Sequence, residues 1–354
     1  KIAASGEPGV RLGAIEALGL IVDPAAVSAL GRVASTAPAG EVRKAARRAA
    51  HRLASMGIKG EPEQGPAAVP TSDPTGTDFV AVLASPIDGA GNRGIWFGPR
   101  RGGDASLVSV LTNDTEGIKD MFAREMSASR FEKEARRVLD EPEYPWIEIP
   151  ADYGRHLVGV AHRLNSKSHT PLPLDFLVWR ERIAIPRTEA AQPIVYSVMS
   201  AAEVRWDPRN LDMSANLFDM EMFRGWILDR EDLAGFAEEK LTAERSGLLI
   251  AGAGGENRDR MIEERAILGL FDARRRELYK GRLEEMAYLL WKLGRVQAAR
   301  SALAAALALE PPDRSVVDHP FIRALVGWSL EVVTEMARNE RTRSIRPGLQ
   351  LHLP

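Results

Sequence analysis

The stretch VRKAARRAAHRL, residues 42–53, decides the fold of the first part of the chain. Its apolar side chains recur every three or four residues, and basic side chains fill the positions between them. This spacing predicts an amphipathic helix over residues 41–55, with small alanines on the packing face. An earlier Val-Arg pair at residues 10–11 is also followed by alanine and leucine, and the pairs at 10 and 42 are 32 residues apart.

The segment between the two Val-Arg pairs supplies a second helix. Asp23-Pro24 is a typical N-cap followed by a first-turn proline, and the sequence Pro38-Ala-Gly40 breaks the chain before the next helix. The unit of helix, turn and helix resembles the HEAT repeat, in the short bacterial form named after phycobilisome lyases. The resemblance covers about residues 8–58 and implies a stack of helix pairs. Because the chain begins at Lys1 in mid-pattern, we expect 1–58 to be a repeat fragment that lacks earlier repeats.

The next two segments differ in composition from the repeat. Residues 59–77 are rich in proline, glycine and polar side chains, which predicts a linker. Residues 78–187 follow as a small α+β module, with strands predicted at 79–84, 94–97 and 106–111. We expect Asn113-Asp114 to cap a helix that runs to about residue 126. Further helices are expected over 129–139 and around Tyr153 to Leu164, whose apolar residues share one face.

Residues 188–354 are predicted to be a helical domain. Helices are expected over 229–245 and 258–280, and a last one begins at Asp318-His-Pro320. A set of positions farther along resembles the second half of a tetratricopeptide repeat (TPR): Gly294, Ala299, Leu303, Ala306 and Pro311. The first half departs from that pattern at Leu283, Met286 and Ala287, so an ordinary helical hairpin is the alternative. The fold class is therefore mainly α, with an embedded antiparallel α+β module.

Composition excludes several kinds of chemistry. The chain has no cysteine, which removes disulfides, thiolate nucleophiles and cysteine-bound zinc. The absence of cysteine also fits a reducing cytoplasm, where we expect the protein to be located. No apolar run reaches the length needed to cross a bilayer, so we expect no membrane partner. The formal net charge of −2 provides no global attraction to nucleic acid.

A glycine motif at residues 89–94 has the form G-x-G-x-x-G, and Asp114 follows 20 residues after Gly94. A dinucleotide site needs a helix directly after these glycines, because the helix N-terminus binds the pyrophosphate. The sequence continues instead with Ile-Trp-Phe at 95–97. We therefore predict a loop between two antiparallel strands and no cofactor. No metal-ligand set and no catalytic residues can be nominated either.

The remaining candidate site is the basic face of the helix over 41–55. Its members are Arg43, Arg47, Arg48, His51 and Arg52. In a HEAT-like stack this face would line the concave surface and meet an anionic partner, although a solvated face is the simpler interpretation. The leading hypothesis is a helical-repeat interaction protein with a protein partner. The alternatives are an enzyme or lyase-type subunit with its site in the α+β module, and a nucleic-acid-binding protein.

Overall fold

The chain folds into two compact units, Lys1–Pro70 and Thr71–Pro354. The computed structural model describes residues 40–55, 79–99, 106–183, 193–247, 254–310 and 315–345, with single helical positions between residues 15 and 34. The boundary between the units falls inside the predicted linker 59–77, whose own residues lie outside the described ranges. The division predicted at 187/188 falls inside the second unit.

The first unit contains the predicted amphipathic helix. Helix α1 (Gly40–Ser55) agrees with the prediction of 41–55, and described positions between 26 and 34 are helical as well. Val42, Ala46 and Leu53 of α1 are buried in one apolar cluster with Leu30 and Val33. Alanines of α1 therefore lie on its packing face, as their spacing predicts, where small side chains let two helices approach closely. Membership of the HEAT family stays a prediction.

The second unit begins with a five-stranded antiparallel sheet. Its strands are β1 (Phe79–Ala84), β2 (Asn92–Pro99), β3 (Ser106–Asn113), β4 (Gly117–Glu125) and β5 (Ile147–Ile149). Their order is β4-β3-β2-β1-β5, and each neighbouring pair is antiparallel. The predicted strands and the antiparallel arrangement are thus confirmed.

The predicted helix from Asn113 to about residue 126 is wrong, because this segment forms β4. The Asn113 side-chain oxygen accepts hydrogen bonds from the backbone N–H groups of Thr115 and Glu116, as it would at a helix N-cap. Here the same bonds close a tight turn. Gly117 follows with φ of 98°, a conformation that ends any helical path and returns the chain along β3.

Helices pack on the sheet at both faces. Helix α2 (Ala128–Leu139) places Phe131 against Gly98 of β2, where a Cβ atom would overlap the ring. Gly154 of helix α3 (Ala151–Ser168) lies against Val82 and Phe97. Helix α4 (Leu174–Ile183) contacts β4 and buries two large side chains, Phe176 and Trp179.

The rest of the second unit is helical. The longer helices are α8 (Arg230–Gly247), α9 (Gly254–Leu270), α10 (Ala273–Lys292), α11 (Val296–Ala308) and α12 (Pro320–Ile345). Before them come the short helices α5 (Ala201–Trp206), α6 (Arg209–Asp212) and α7 (Glu221–Arg224). Short 3-10 helices occur at Ile194–Ser197, Met213–Asp219 and Val316–Asp318.

The single helix predicted over 258–280 is instead the end of α9 and the start of α10. The break falls at Phe271-Asp272, because the Asp272 carboxylate accepts from the Arg275 N–H and caps a new helix. Helices α10 and α11 then form a closely packed hairpin, with Gly294 in the connecting turn at φ of 73°. This agrees with the helical hairpin predicted there; a relationship to the TPR family stays a prediction.

None of the described helices combines the length and the apolar character needed to cross a bilayer.

Candidate ligand-binding cavity

A cavity of about 290 Å³ lies in the second unit, where the β1–β2 and β3–β4 turns meet α3 and α10. Its volume is close to the lower end of the range typical of small-molecule pockets. One side of its lining is apolar and the other side contains polar and charged groups from three separate parts of the chain.

The apolar side is built by helical spacing. Leu157, Val160 and Leu164 line the cavity from α3, at intervals of three and four residues that keep them on one face. Leu278 and Gly281 line it from α10. Apart from its own turn of helix, no atom of the described residues lies within 4 Å of a Cβ placed on Gly281, so the helix surface there opens onto free space.

The first polar contact joins α10 to the β3–β4 turn. Arg282 donates from Nε and Nη2 to the two carboxylate oxygens of Asp114, at 2.5 and 2.9 Å, and from Nη1 to the Gly89 carbonyl at 2.9 Å. The Arg282 side chain is 6% exposed. Burial alone would lower the pKa of Arg282, but the Asp114 carboxylate outweighs that effect and raises it. Arg282 therefore stays charged and holds the turn against the helix.

The second polar contact centres on Glu285, also on α10. Arg93 of β2 donates from Nη1 to Glu285 at 2.5 Å, and the Tyr153 hydroxyl of α3 donates to the other Glu285 oxygen. Burial, followed by the Glu285 charge, raises the pKa of the Tyr153 hydroxyl. Strand β2, helix α3 and helix α10 thus meet at the Glu285 carboxylate. Glu285 lies one helical turn from Arg282, so both side chains extend from the same face of α10.

Among the polar groups of the lining, Arg93 and His156 have hydrogen-bonding capacity left. Arg93 uses Nε on the Ser85 carbonyl and Nη1 on Glu285, and none of the described residues accepts a bond from its Nη2. His156 stacks on Tyr153, and none of the described residues hydrogen-bonds its imidazole. Burial and then the Arg163 charge lower the pKa of His156, so its ring is neutral at pH 7.

The glycine motif lies beside this cavity: Gly89 and Gly91 are in the turn between β1 and β2, and Gly94 is within β2. A Cβ atom on Gly89 would overlap the backbone of Gly225 and Trp226, and one on Gly91, at φ of 86°, would overlap Asp114 and Arg282. The glycines thus let the turn pack against the helical part of the unit. Asp114 stands at the spacing expected for an acid that binds a ribose, but both of its carboxylate oxygens accept hydrogen bonds from Arg282. The predicted loop between antiparallel strands is confirmed.

The predicted basic site belongs to the first unit and is separate from these residues in sequence. Its five members, Arg43, Arg47, Arg48, His51 and Arg52, all fall within α1. Arg48 is exposed, as is neighbouring Lys44; the side chains of the other four members lie outside the described part of the structure. The anion-binding role of this face stays a prediction.

Among the residues that the structure describes, no three His, Asp or Glu side chains are grouped closely enough to hold a metal ion.

Comparison with known proteins adds no assignment. No family model, no curated protein and no solved structure matches this chain.

Sequence reasoning did not identify the residues that build the cavity. Arg93 and Glu285 are 192 positions apart, and each belongs to an element whose pattern predicts only a strand or a helix. The one feature of the sequence that could have indicated this site is Arg93, a charged residue at an inward-facing position of a buried strand. Arg93 alternates with Ile95 and Phe97, both of which are fully buried.

Proposed function

We propose that the second unit is a small-molecule-binding module and that its ligand occupies the cavity between the sheet, α3 and α10. The observation that carries this proposal is that the cavity has an apolar side and a polar side. An apolar wall faces polar groups that are held by buried ion pairs, and Arg93 and His156 retain free hydrogen-bonding capacity. This combination of a shaped apolar surface and a few fixed polar groups is typical of ligand sites.

The charges in the lining oppose the binding of an anionic ligand. Two arginines, Arg93 and Arg282, face three carboxylates, Asp114, Glu277 and Glu285. No surplus of positive charge is left for a phosphate or a polyphosphate. A ligand with an apolar body and one hydrogen-bond acceptor fits best, because Arg93 Nη2 supplies a donor and the α3 wall supplies apolar contact.

Binding is favoured over nucleophilic catalysis by the state of the hydroxyl groups. The Tyr153 hydroxyl donates to Glu285, and the Thr112 hydroxyl donates to the Arg93 carbonyl at 3.2 Å. Neither is an activated nucleophile: burial and the Glu285 charge raise the pKa of Tyr153 and keep its hydroxyl protonated, and Thr112 donates to a carbonyl oxygen, which is not a base that could take its proton. The enzyme hypothesis would use the same cavity but has no residue to assign to a chemical step.

A fluorescence titration with prodan, an uncharged naphthalene ketone, tests the proposal. The emission of prodan shifts to shorter wavelength in an apolar site, and its carbonyl can accept one hydrogen bond. Gly281→Leu adds a side chain to the cavity, whereas Gly235→Leu changes an exposed glycine of α8 that also has no neighbour within 4 Å of its Cβ position. We expect saturable binding by the wild-type chain and the Gly235 variant, and loss of binding in Gly281→Leu.

Equal binding by all three proteins would place prodan elsewhere and contradict the proposal, as would no saturable binding by the wild type. Far-ultraviolet circular dichroism on each variant checks that the fold is kept. Both substitutions replace glycine by a better helix former, so neither should weaken its helix.

A second candidate function concerns the first unit, which would act as a helical-repeat surface for an anionic protein partner, with nucleic acid as the alternative. The observation that favours it is the amphipathic α1, whose apolar side is buried while Lys44 and Arg48 are exposed. Arginine suits carboxylate and phosphate groups because its planar head pairs with two oxygens.

The triple change Arg43→Gln, Arg47→Gln and Arg48→Gln tests this second candidate. If α1 binds an anionic surface, the change abolishes capture of partners from a lysate and leaves the melting temperature unchanged. A nucleic-acid partner would also show steep loss of binding as salt rises. If the triple variant captures the same partners as the wild type, the basic face is only a solvated surface and this second candidate function is wrong.

A further inference from the structure

The outer strand of the sheet, β4, has one edge that no described residue pairs with along most of its length. Within the described chain, β4 is hydrogen-bonded as a ladder to β3 alone. At its start the edge is closed, because the Asn165 side chain accepts from the Ile118 N–H at 2.8 Å and donates to the Ile118 carbonyl at 3.0 Å. Farther along, the Met121 N–H donates to the carboxylate of Asp120 in the same strand at 2.9 Å, a bond that pairing with another strand would replace. The part beyond Ile118, residues 119–125, is here called the open edge.

An apolar patch accompanies the open edge. Phe122 is 45% exposed and Leu111 of β3 is 40% exposed. Phe122 pairs with Ser109 and Asp120 pairs with Leu111, so Phe122 and Leu111 are diagonal neighbours on one face of the sheet. On the same face, helix α2 packs in a cluster with Leu83 and Leu107.

The charges of the open edge are self-complementary when the strand is reversed. Phe122 is preceded by Lys119 and Asp120 and followed by Arg124 and Glu125, all of them exposed. An antiparallel pair of two β4 strands centred on Phe122 places each Asp120 opposite the other copy's Arg124. In the same pair the two Phe122 rings lie side by side. Such cross-strand pairs of opposite charge and of aromatic rings stabilise sheets.

We infer that the chain associates with a second copy of itself by antiparallel pairing of the two open edges around Phe122. Arg124 and Glu125 make no ion pair within the described residues, and the second copy supplies their partners. A parallel pair in register would bring like charges together, so the charge order selects the antiparallel arrangement. The contact is short and polar at its ends, which makes the dimer weak and sensitive to salt.

Sedimentation velocity on the 354-residue chain tests this inference with a charge exchange. Asp120→Lys puts a lysine opposite Arg124, and Arg124→Glu puts a glutamate opposite Asp120, so each variant alone opposes like charges. We expect each to weaken self-association by about tenfold, since two contacts per dimer change sign. Mixing the two variants restores opposite charges at both contacts, and we expect a heterodimer of wild-type strength.

The mixing result separates pairing from a general effect of charge. Phe122→Lys, at an exposed position, should remove association even if one of the charge variants fails to fold. Dimerisation of the single variants at wild-type strength would overturn the inference, as would a mixture that stays monomeric. A wild-type chain that remains monomeric at high micromolar concentration would also overturn it, and the charges would then serve only to protect an edge strand.

Discussion

At the scale of single residues, glycine positions decide how closely the sheet and the helical part of the second unit approach. Gly91 occupies the left-handed region and lies against Asp114 and Arg282, where no side chain fits. Gly235, in contrast, is exposed in the interior of α8 and has open space around it. The same residue type therefore has opposite consequences at the two positions.

Replacing Gly91 with alanine should destabilise the protein by about 1–3 kcal/mol, because the backbone is strained for an L-residue and the Arg282–Asp114 pair must shift. Gly235→Ala should instead stabilise it by about 0.5–1 kcal/mol through helix propensity. Urea unfolding measures both changes in the free energy of unfolding, provided that the dependence of this free energy on urea concentration is the same in each variant. Equal effects of the two substitutions would mean that the close contact at Gly91 has no energetic importance.

At the scale of elements, α10 connects the sheet to the helical part. Its residues Leu278, Gly281, Arg282 and Glu285 all line the cavity, at the spacing of one helix face. Two of them are ion-paired to the sheet region, Arg282 to Asp114 and Glu285 to Arg93. The element that shapes the cavity is thus also the element that fixes it against the sheet.

A double-mutant cycle on Arg282 and Asp114 measures this connection. Arg282→Met alone should cost about 3 kcal/mol, because it leaves Asp114 and the Gly89 carbonyl without their donor. In Arg282→Met with Asp114→Asn the loss should be smaller than the sum of the single losses, by about 1–3 kcal/mol. Strict additivity of the unfolding free energies would contradict the direct pairing of the two side chains.

The elements also show what the sequence could predict. Helix α1 was predictable because its apolar spacing extends over several turns. Gly89 and Gly91 were correctly placed in a turn between two strands, because no helix follows the motif. Strand β4 was missed because Asn113 makes the same local hydrogen bonds in a turn as at a helix N-cap. The pairing of Arg93 with Glu285 was not predictable, since it depends on contacts between distant parts of the chain that no local pattern records.

At the scale of the whole molecule, the two compact units offer different kinds of candidate site. The first unit presents an amphipathic helix whose basic face is the predicted anion site. The second unit encloses a cavity whose polar groups come from β2, the β3–β4 turn, α3 and α10. A site assembled from such distant segments exists only when the second unit is folded, so ligand binding should raise its melting temperature.

Amide hydrogen exchange with and without saturating prodan is the measurement that tests ligand binding in the cavity most directly, because it reports where the molecule lies. We expect exchange to slow in α3 and α10, which line the cavity, by more than it slows in α8, whose residues do not line it. The Gly281→Leu variant should show no such protection. Protection confined to other segments, or equal in the wild type and the Gly281→Leu variant, would contradict the account.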